Sequence, residues 1–413
     1  MALKVETNIP YGNACDIAVT ERGAAVCAPA KGKPESHAGF VAAGAATLEG
    51  GMPVVSFAAD PHGGPECLWF CLRLKQGARR AGAASHGSRT QVKLILKNIY
   101  NMLGGNEPKT MRPVMRQARG DWERLGPGAA VELPDGRRHA EWIIDAPKPF
   151  ADIAFCYPYG RPEIDTLLAD TKGYWRADTI GVSQGARPLI RLSNGPGEAG
   201  GGRPGLYLIA RQHSGEAPGS WVLDGFLRYI ASQGDKAPLV WAVPLSNIDG
   251  VEQGDYGKDN FPYDLNRAWG NPPMRHEVLV FQRDMQRWKK RCKPAVGIDF
   301  HAPGGCDAGG IFMFTPNPQT RAYQAQATTK WVEALAAGLT PQYAHKNFRQ
   351  VATYASRWET PWFTEYCFSN LGVCELSLET PYGMIGETVL TRENYREAGA
   401  RIAEAVIKEC TVP

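Results

Sequence analysis

Short apolar runs separated by turn residues dominate the first 150 positions of the chain. They stand at 54–57, 68–74, 92–97 and 141–144. Several short strands at this spacing, with turn signals between them, are typical of all-β folds. We therefore predict an N-terminal all-β sandwich domain over residues 1–150.

From about residue 155 onward, the pattern changes to short apolar runs that alternate with long stretches of helical periodicity. The helical stretches lie at 275–290, 319–337 and 391–409. Such alternation predicts an α/β domain with a mixed, largely parallel central sheet. We assign this second domain to residues 151–413, with the Pro-rich segment 146–151 as the joint.

Two apolar runs in the second domain end next to polar residues that can bind a metal. Residues 205–211 are followed by His213-Ser-Gly-Glu216, and residues 295–300 are followed by His301. Residues 220–230 have the spacing of an amphipathic helix, so Glu216 should lie in a strand-to-helix loop. Open α/β sheets bind their ligands at the carboxyl ends of the strands, and we expect the three residues to converge there.

Two imidazoles and one carboxylate are the ligands with which catalytic zinc sites hold the metal while leaving one position open. Bound zinc polarises an amide carbonyl and lowers the pKa of its water to about 7. The set therefore predicts a metal-dependent hydrolase. The alternative is that these are unrelated surface or core residues, which is the better interpretation of an isolated His-x-x-Glu. The surrounding motifs therefore decide between a metal site and unrelated residues.

Composition describes an ordinary globular protein. Of 413 residues, 43% are hydrophobic and 21% are charged, which suits two domains that each bury a core. The net charge of +4 is too small to indicate a nucleic-acid-binding protein. The basic run 287–293 is interpreted as the solvated end of a helix. No apolar stretch predicts a membrane span or a secretory signal, so we expect a cytoplasmic protein. The ten cysteines lack C-x-x-C pairs and fit reduced thiols.

Further motifs fall in the order of the site motifs of the M14 zinc carboxypeptidases. They are Asn247–Gly250, Asp264–Trp269, Asp299–His301 and Ser377–Gly383. The whole set resembles the cytosolic carboxypeptidase branch of that family. The resemblance also includes 67–70, 121–124 and 152–159, which are similar to the N-terminal β-domain of that branch, and it spans residues 55–385.

The resemblance implies one Zn²⁺ per chain on His213, Glu216 and His301, with Glu379 as the general base. The run 373–378 reads as a strand that would bring Glu379 to the same sheet edge. Glu375 is a rival, because the alternation of a strand puts it on the same face. The sequence context of Glu379 matches the family's catalytic glutamate and favours it.

The same resemblance implies roles for four more residues. Asp264 would orient the imidazole of His213 by accepting its second N–H, and Asp299 is a candidate for a similar role. Asn266 and Arg267 would hold the terminal carboxylate of a substrate, since a guanidinium is always charged and grips both oxygens. Capping or ordinary ion pairing is the alternative for Asp264, Asp299 and Arg267.

At one position the chain departs from the family. Gly257 stands where these enzymes carry an arginine that stabilises the developing oxyanion. Loss of such a donor costs on the order of a hundredfold or more in rate. Lys258 is the candidate substitute as a point charge, and Tyr354 and Tyr382 are candidate phenols of the substrate pocket, with packing as the alternative.

Three functions compete at this point. The first is a zinc metallocarboxypeptidase that hydrolyses the C-terminal peptide bond of a peptide or protein. The second is a zinc amidase or deacylase acting on a small N-acyl amino acid or related amide, which Gly257 could indicate. The third is a binding module with a vestigial metal site, against which the complete ligand set and Glu379 argue. Substrate preference and oligomeric state have no signal in the sequence.

Overall fold

Strands and two short 3₁₀ helices, Ile99–Asn101 and Pro108–Thr110, build the described first part of the chain. The computed structural model describes residues 3–20, 52–77, 91–105, 107–261, 263–353 and 360–411. The first strands are β1 Leu3–Glu6, β2 Cys15–Thr20, β3 Val54–Ala58, β4 Cys71–Gln76, β5 Gln91–Leu96, β6 Val114–Gln117, β7 Glu123–Arg124, β8 Ala129–Glu132, β9 Arg138–Asp145 and β10 Phe150–Ala154. Between the described residues 3 and 160 no α-helix occurs.

These strands form two five-stranded sheets, ordered β1-β4-β10-β6-β7 and β2-β3-β5-β9-β8. Aromatic rings connect them: Phe57 on β3 meets Phe70 edge-on at 5.1 Å, and Phe70 meets Phe155 at 5.7 Å. The predicted strands at 54–57, 92–97 and 141–144 are confirmed, whereas the run 68–74 becomes a strand only from Cys71. Strand β10 crosses residue 150 and pairs with β4 and β6. The sandwich domain and its boundary at residue 150 stay predictions.

The second part of the chain alternates strands with helices. Its strands are β11 Arg176–Val182, β12 Pro188–Ser193, β13 Pro204–Ala210, β14 Leu239–Val243, β15 Lys293–His301, β16 Ile311–Phe314, β17 Ala344–Gln350, β18 Glu375–Glu379, β19 Met384–Ile385 and β20 Thr388–Val389. The helices are α1 Arg161–Asp170, α2 Ala217–Gln233, α3 Ile248–Gln253, α4 His276–Lys289, α5 Ala322–Ala327, α6 Thr329–Leu339, α7 Phe363–Tyr366 and α8 Arg392–Thr411.

A mixed eight-stranded sheet forms the centre of this part, in the order β11-β12-β14-β13-β15-β18-β16-β17. Strand β13 runs parallel to β14 and β15, and β15 runs parallel to β18. Antiparallel pairs occur towards both edges, between β11 and β12, β12 and β14, and β16 and β18. The predicted mixed, largely parallel sheet is therefore confirmed.

Reciprocal glycines let α2 and α8 pack closely beside this sheet. A Cβ at Gly225 would lie 2.1 Å from the carbonyl oxygen of Arg396, and one at Gly399 would lie 1.9 Å from that of Val222. The predicted helix 275–290 is confirmed as α4, and 391–409 is confirmed as α8. The stretch 319–337 is broken between α5 and α6, where the hydroxyls of Thr328 and Thr329 both donate to the carbonyl of Ala325 and compete with the helix. Among the described helices, none has the length and apolarity to cross a bilayer.

Arg124 joins the first sheets to the end of the chain. Its guanidinium donates to the carbonyl oxygens of Leu390 at 2.8 Å, Tyr382 at 2.6 Å and Arg112 at 2.5 Å, and to the Tyr395 hydroxyl at 2.8 Å. Because one side chain satisfies several backbone acceptors, its removal leaves buried carbonyls unpaired.

We expect Arg124→Met to lower the free energy of unfolding by about 3 kcal/mol, since several buried acceptors lose their donor. Thermal and urea unfolding followed by circular dichroism measure the loss. Arg161→Met is the matched control, because Arg161 makes only an exposed pair with Asp165 and its removal should cost less than about 0.5 kcal/mol. Equal stability of the two variants would show that the Arg124 contacts are not structural.

Candidate metal centre

Three neighbouring strands bring the predicted residues to one edge of the sheet. Along β13 and β15, Ile209 pairs with Asp299, and along β15 and β18, His301 pairs with Glu379. All three strands are parallel, so their carboxyl ends meet. His213 follows β13 after three residues and arrives at the same edge.

The loop that carries His213 and Glu216 is shaped by close backbone contacts. Arg211 has a positive φ of 64° and donates from Nε to the carbonyl of Ser214 at 2.6 Å. Helix α2 starts directly after Glu216, and its Gly219 touches β15, since a Cβ there would lie 2.5 Å from the Phe300 carbonyl oxygen. This close approach places Glu216 beside the end of β15.

His213, Glu216 and His301 form a buried cluster whose donor atoms all lie within 4.8 Å of one another. Nδ1 of His213 lies 2.8 Å from Oε1 of Glu216, and Nδ1 of His301 lies 2.7 Å from Oε2. In the part of the chain that the structure describes, no other group of three His, Cys, Asp or Glu residues has such a geometry. Both Nδ1 atoms and the carboxylate therefore face one point that a metal ion could occupy.

The opposite nitrogen of each imidazole meets a second carboxylate. Nε2 of His213 lies 3.1 Å from Oδ2 of Asp264, and Nε2 of His301 lies 2.7 Å from Oδ2 of Asp299. Such partners fix the tautomer and the ring orientation of metal-binding histidines. Asp264 is itself held by the backbone N–H groups of Asp259 at 3.0 Å and Asn266 at 2.7 Å.

The charges of the cluster depend on one another. Burial disfavours charge on His213, but Asp264 and Glu216 outweigh it and raise the pKa of the imidazole to about 9. Burial likewise opposes ionisation of Glu216, yet His213 and His301 lower the pKa of its carboxyl. The pKa of His301 is raised well above its usual value, since Asp299 and Glu216 outweigh burial. The carboxylates around the two imidazoles thus favour a positive charge at this point, which a metal cation could supply.

Glu379 is buried beside the cluster, and its Oε2 has no hydrogen-bond partner among the described residues. Burial raises the pKa of its carboxyl to about 7, with opposing influence from His301. Glu375 lies deeper on β18, opposite Gly297, and accepts a hydrogen bond from Thr364 at 2.6 Å. Burial and the charge of Asp299 raise the pKa of Glu375 to about 8.

The predicted substrate-binding residues lie in and near the turn 264–267. Nδ2 of Asn266 is 3.1 Å from Nε2 of His301, and its Oδ1 accepts from the backbone N–H of Phe363 at 3.1 Å. Arg267 is buried, and its Nη1 donates to the carbonyl of Asn266 at 2.9 Å. Lys258 pairs with Glu66 at 3.2 Å. The side-chain amide of Asn266 therefore contacts the imidazole of His301 through Nε2, the nitrogen opposite the one that faces Glu216.

Gly257 lies in a conformation that only glycine adopts easily. Its φ is 85°, and a Cβ would lie 2.4 Å from Oγ of Ser214 and 2.7 Å from its backbone nitrogen. Ser214 lies between the candidate ligands His213 and Glu216, and the segment 254–258 packs on that loop. A side chain at position 257 would therefore clash with the loop that carries the two candidate ligands.

The first sheets hold this segment from the other side. Asn13 donates to the carbonyl of Gly254 at 2.7 Å, and Nδ1 of His62 lies 2.6 Å from Oδ1 of Asp255. Tyr256 accepts from the backbone N–H of Gly215 at 2.8 Å. The N-terminal part thus reaches the ligand loop through residues 254–258.

Sequence reasoning missed several members of the site. Gln212 donates to Asp299, and Trp269 donates to Gln212 at 2.7 Å, so both steady the partner of His301. The phenols of Tyr256, which was not predicted, and of Tyr382, which was a candidate pocket residue, are buried without a hydrogen-bond partner among the described residues. Of the residues that were missed, Trp269 alone lies in one of the motifs, Asp264–Trp269. Tyr354 lies outside the described residues.

Comparison with known proteins identifies relatives of one kind. No family model matches the chain. Cytosolic carboxypeptidase 6 of Caenorhabditis elegans is 24% identical over 280 residues, which is 60% of this chain and 60% of that protein. Mouse cytosolic carboxypeptidase 6 is 28% identical over 214 residues, 46% of this chain and 40% of that protein. The chain thus spans about half the length of these curated relatives.

Solved structures share the fold over nearly the whole chain. A metallo-carboxypeptidase from Burkholderia cenocepacia superposes with a TM-score of 0.71 at 18% identity and covers 99% of both chains. One from Pseudomonas aeruginosa, in complex with (2-guanidinoethylmercapto)succinic acid, superposes with a TM-score of 0.67 at 16% identity and covers 98% of both chains. The fold is that of the metallo-carboxypeptidases. The chain is thus similar in sequence to the cytosolic carboxypeptidases and in fold to the metallo-carboxypeptidases, and both findings support a cytosolic carboxypeptidase-like protein of the M14 family.

Proposed function

We propose that the protein is a zinc-dependent metallocarboxypeptidase that removes the C-terminal residue of peptides or proteins. The observation that carries the proposal is the convergence of two imidazole Nδ1 atoms and the Glu216 carboxylate. Glu379 is buried next to them, and its Oε2 has no hydrogen-bond partner among the described residues. The names of the relatives support the same activity.

The donor set fits one Zn²⁺ per chain. Two nitrogens and a carboxylate are ligands that zinc accepts, and three protein ligands leave a position open for substrate or water. Each imidazole has a carboxylate partner on its other nitrogen, which favours the metal-binding tautomer. When bound, zinc supplies Lewis-acid chemistry, because it polarises an amide carbonyl and acidifies water.

Glu379 is suited to move the proton in this reaction. A general base works best when its pKa lies near the working pH, and burial raises the pKa of Glu379 to about 7. We propose that Glu379 accepts a proton from the attacking water and delivers it to the leaving amine. Asp264 and Asp299 would hold the two imidazoles in place during these transfers.

Arg267 is the proposed anchor for the terminal carboxylate of the substrate. Its buried guanidinium lies in the same turn as Asn266 and Asp264, the partner of His213. The side-chain amide of Asn266 already contacts His301 and the backbone N–H of Phe363. We therefore propose that Arg267 makes the main contact with the substrate carboxylate and that Asn266 acts indirectly, by positioning His301. Lys258, paired with Glu66, is the proposed positive charge closest in sequence to Gly257.

The amidase or deacylase alternative rests on Gly257 alone. The relatives are carboxypeptidases, so the comparisons favour hydrolysis at a peptide C-terminus. We further propose that the two N-terminal sheets form a β-sandwich domain that supports the segment 254–258, and that the protein is cytoplasmic, as the names of its relatives suggest.

We expect wild-type protein loaded with zinc to remove single C-terminal residues from a mixed peptide library, as detected by mass spectrometry. Glu379→Gln should cut turnover at least about a hundredfold with zinc retained, because the proton acceptor is lost. Glu375→Gln is the matched control on the same strand and should keep turnover within about threefold, since Glu375 bonds to Thr364 instead of facing the cluster. No cleavage by wild type would overturn the carboxypeptidase proposal, and the opposite order of the two variants would overturn the choice of Glu379.

His213→Ala should abolish both zinc retention and activity, because two remaining ligands bind the metal far more weakly. Asp264→Asn should weaken zinc affinity by about 10- to 100-fold with the three ligands intact, since the amide cannot orient His213 in the same way. Competition with a colorimetric zinc chelator and elemental analysis measure both effects. Normal zinc content in the His213→Ala protein would place the metal elsewhere.

Arg267→Ala should reduce kcat/KM for peptides with a free C-terminus by about 10- to 200-fold, the loss expected for a charged hydrogen bond. The same peptides with an amidated C-terminus serve as the control, and their slow hydrolysis should not change. If both substrates lose the same factor, Arg267 is structural. If wild type prefers an uncharged amide, the amidase alternative is correct.

A further inference from the structure

A basic cavity lies on strands β11, β12 and β14, whereas the metal centre lies at the carboxyl ends of β13, β15 and β18. The volume of the cavity is about 480 Å³. The lining residues are Arg176, Asp178, Arg191, Ser193, Pro196, Trp241, Arg287, Lys290 and Arg291. Several elements contribute to it, namely strands β11, β12 and β14 and the end of helix α4.

Two carboxylates neutralise part of this cavity. Arg191 binds Asp178 at 2.8 Å and Asp284 at 2.7 Å, and it lies over the ring of Trp241 at 3.7 Å. Arg176 also binds Asp178, at 2.6 Å. Five basic side chains thus face two carboxylates, which leaves about three positive charges.

The excess charge comes from the basic run at the end of α4. Arg287, Lys290 and Arg291 are exposed, and within the described residues none of them has a carboxylate within 4.0 Å. Exposure agrees with the interpretation of this run as a solvated helix end. The structure adds that all three side chains line one cavity.

Stabilisation of the helix dipole accounts for only part of this arrangement. Cations in the last turn of a helix are favourable, and Arg287 lies in the last turn of α4. Arg291, however, lies beyond the end of the helix, and Arg176 and Arg191 come from other elements. Guanidinium groups that converge from separate elements on one concave surface are suited to multivalent oxyanions.

We propose that the basic cavity binds a small organic phosphate that carries at least two phosphate groups. The volume falls in the range of small-molecule sites, about 300–1,000 Å³. A bisphosphate carries enough negative charge to balance the excess, and each phosphate offers three acceptor oxygens to the guanidinium forks.

The cavity is separate from the metal centre. Arg291 lies ten residues before His301, but Trp241 on β14 is level with Tyr207 on β13 and Gly297 on β15. Trp241 therefore lies about 13 Å from the end of β15 along the strands and about 10 Å from it across two strand spacings. A small ligand cannot span this distance. Binding therefore does not depend on the proposed peptidase activity, and either proposal can fail without the other.

Isothermal titration calorimetry with fructose 1,6-bisphosphate as the probe tests the proposal on the full chain. We expect one site per chain in wild type, with affinity that falls as salt rises. Arg287→Glu and the neutral variant Arg287→Gln should weaken binding by at least about tenfold and about threefold, respectively. Arg283→Glu is the matched control, because Arg283 lies one turn earlier on α4, is exposed and does not line the cavity. The affinity of this control variant for the probe should fall by less than about twofold.

Three results would overturn the proposal. The first is the absence of binding to wild type at millimolar probe. The second is a loss of affinity in Arg283→Glu as large as that in Arg287→Glu, which would indicate only a diffuse positive potential. A hexaglutamate peptide that binds more tightly than the bisphosphate, with the same dependence on Arg287, would assign the cavity to carboxylates. All variants keep the metal ligands, so phosphate bound at the metal centre would be unaffected by position 287. Their melting temperatures without probe exclude a loss of folding.

Discussion

Mutual compensation of buried charges at the carboxyl edge of the sheet is the constraint on which the rest of the structure depends. His213, Glu216 and His301 are each at most 5% exposed, and so are Asp264 and Asp299. An uncompensated charge at such depth costs several kcal/mol, on the order of what a whole domain gains by folding. Each imidazole lies between two carboxylates, so loss of an imidazole takes a partner from two carboxylates, and loss of a carboxylate leaves at least one imidazole with a single partner. The parallel register of β13 and β15, the close contact of Gly219 with β15 and the turn at Asp264 are all required to keep that arrangement.

The ligand loop is fixed as firmly by its neighbours as by its own residues. Asn13 and His62 hold the segment 254–258, and the Tyr256 carbonyl holds Gly215 between the two ligands. Gly257 lies where this segment presses on Ser214. The positive φ and the lack of space both exclude a side chain at position 257. The backbone conformation is therefore incompatible with an arginine at this position. A single substitution at Gly257 would disturb the loop before it could supply a charge to a substrate.

The sequence predicted those elements whose signal is local. Strands β13 and β15 and helices α2 and α4 have strong periodicity, and the ligands His213 and Glu216 have a characteristic spacing. Features that depend on tertiary contacts were harder to predict from the sequence. The break at Thr328 interrupts a helical pattern that continues through it, because hydroxyl groups compete for a backbone carbonyl. Gln212 steadies Asp299 only because two strands bring them together, and a glutamine carries no chemical signature in the sequence. The basic cavity combines residues from distant parts of the chain, so its basic run predicted only a solvated helix end.

The choice between Glu375 and Glu379 illustrates what the fold adds to chemical reasoning. Both carboxyls are buried on the same strand, and burial raises the pKa of both, to about 8 and about 7. A raised pKa therefore does not distinguish a group that transfers protons from a group that is merely buried. Register does distinguish them, since Glu379 pairs with His301, whereas Glu375 pairs with Gly297, about 13 Å further back along the strand. Hydrogen bonding distinguishes them less, because each carboxyl has one buried oxygen without a partner among the described residues, and Thr364 donates only to the other oxygen of Glu375. The position along β18, and not acidity, is what makes Glu379 the better candidate for the base.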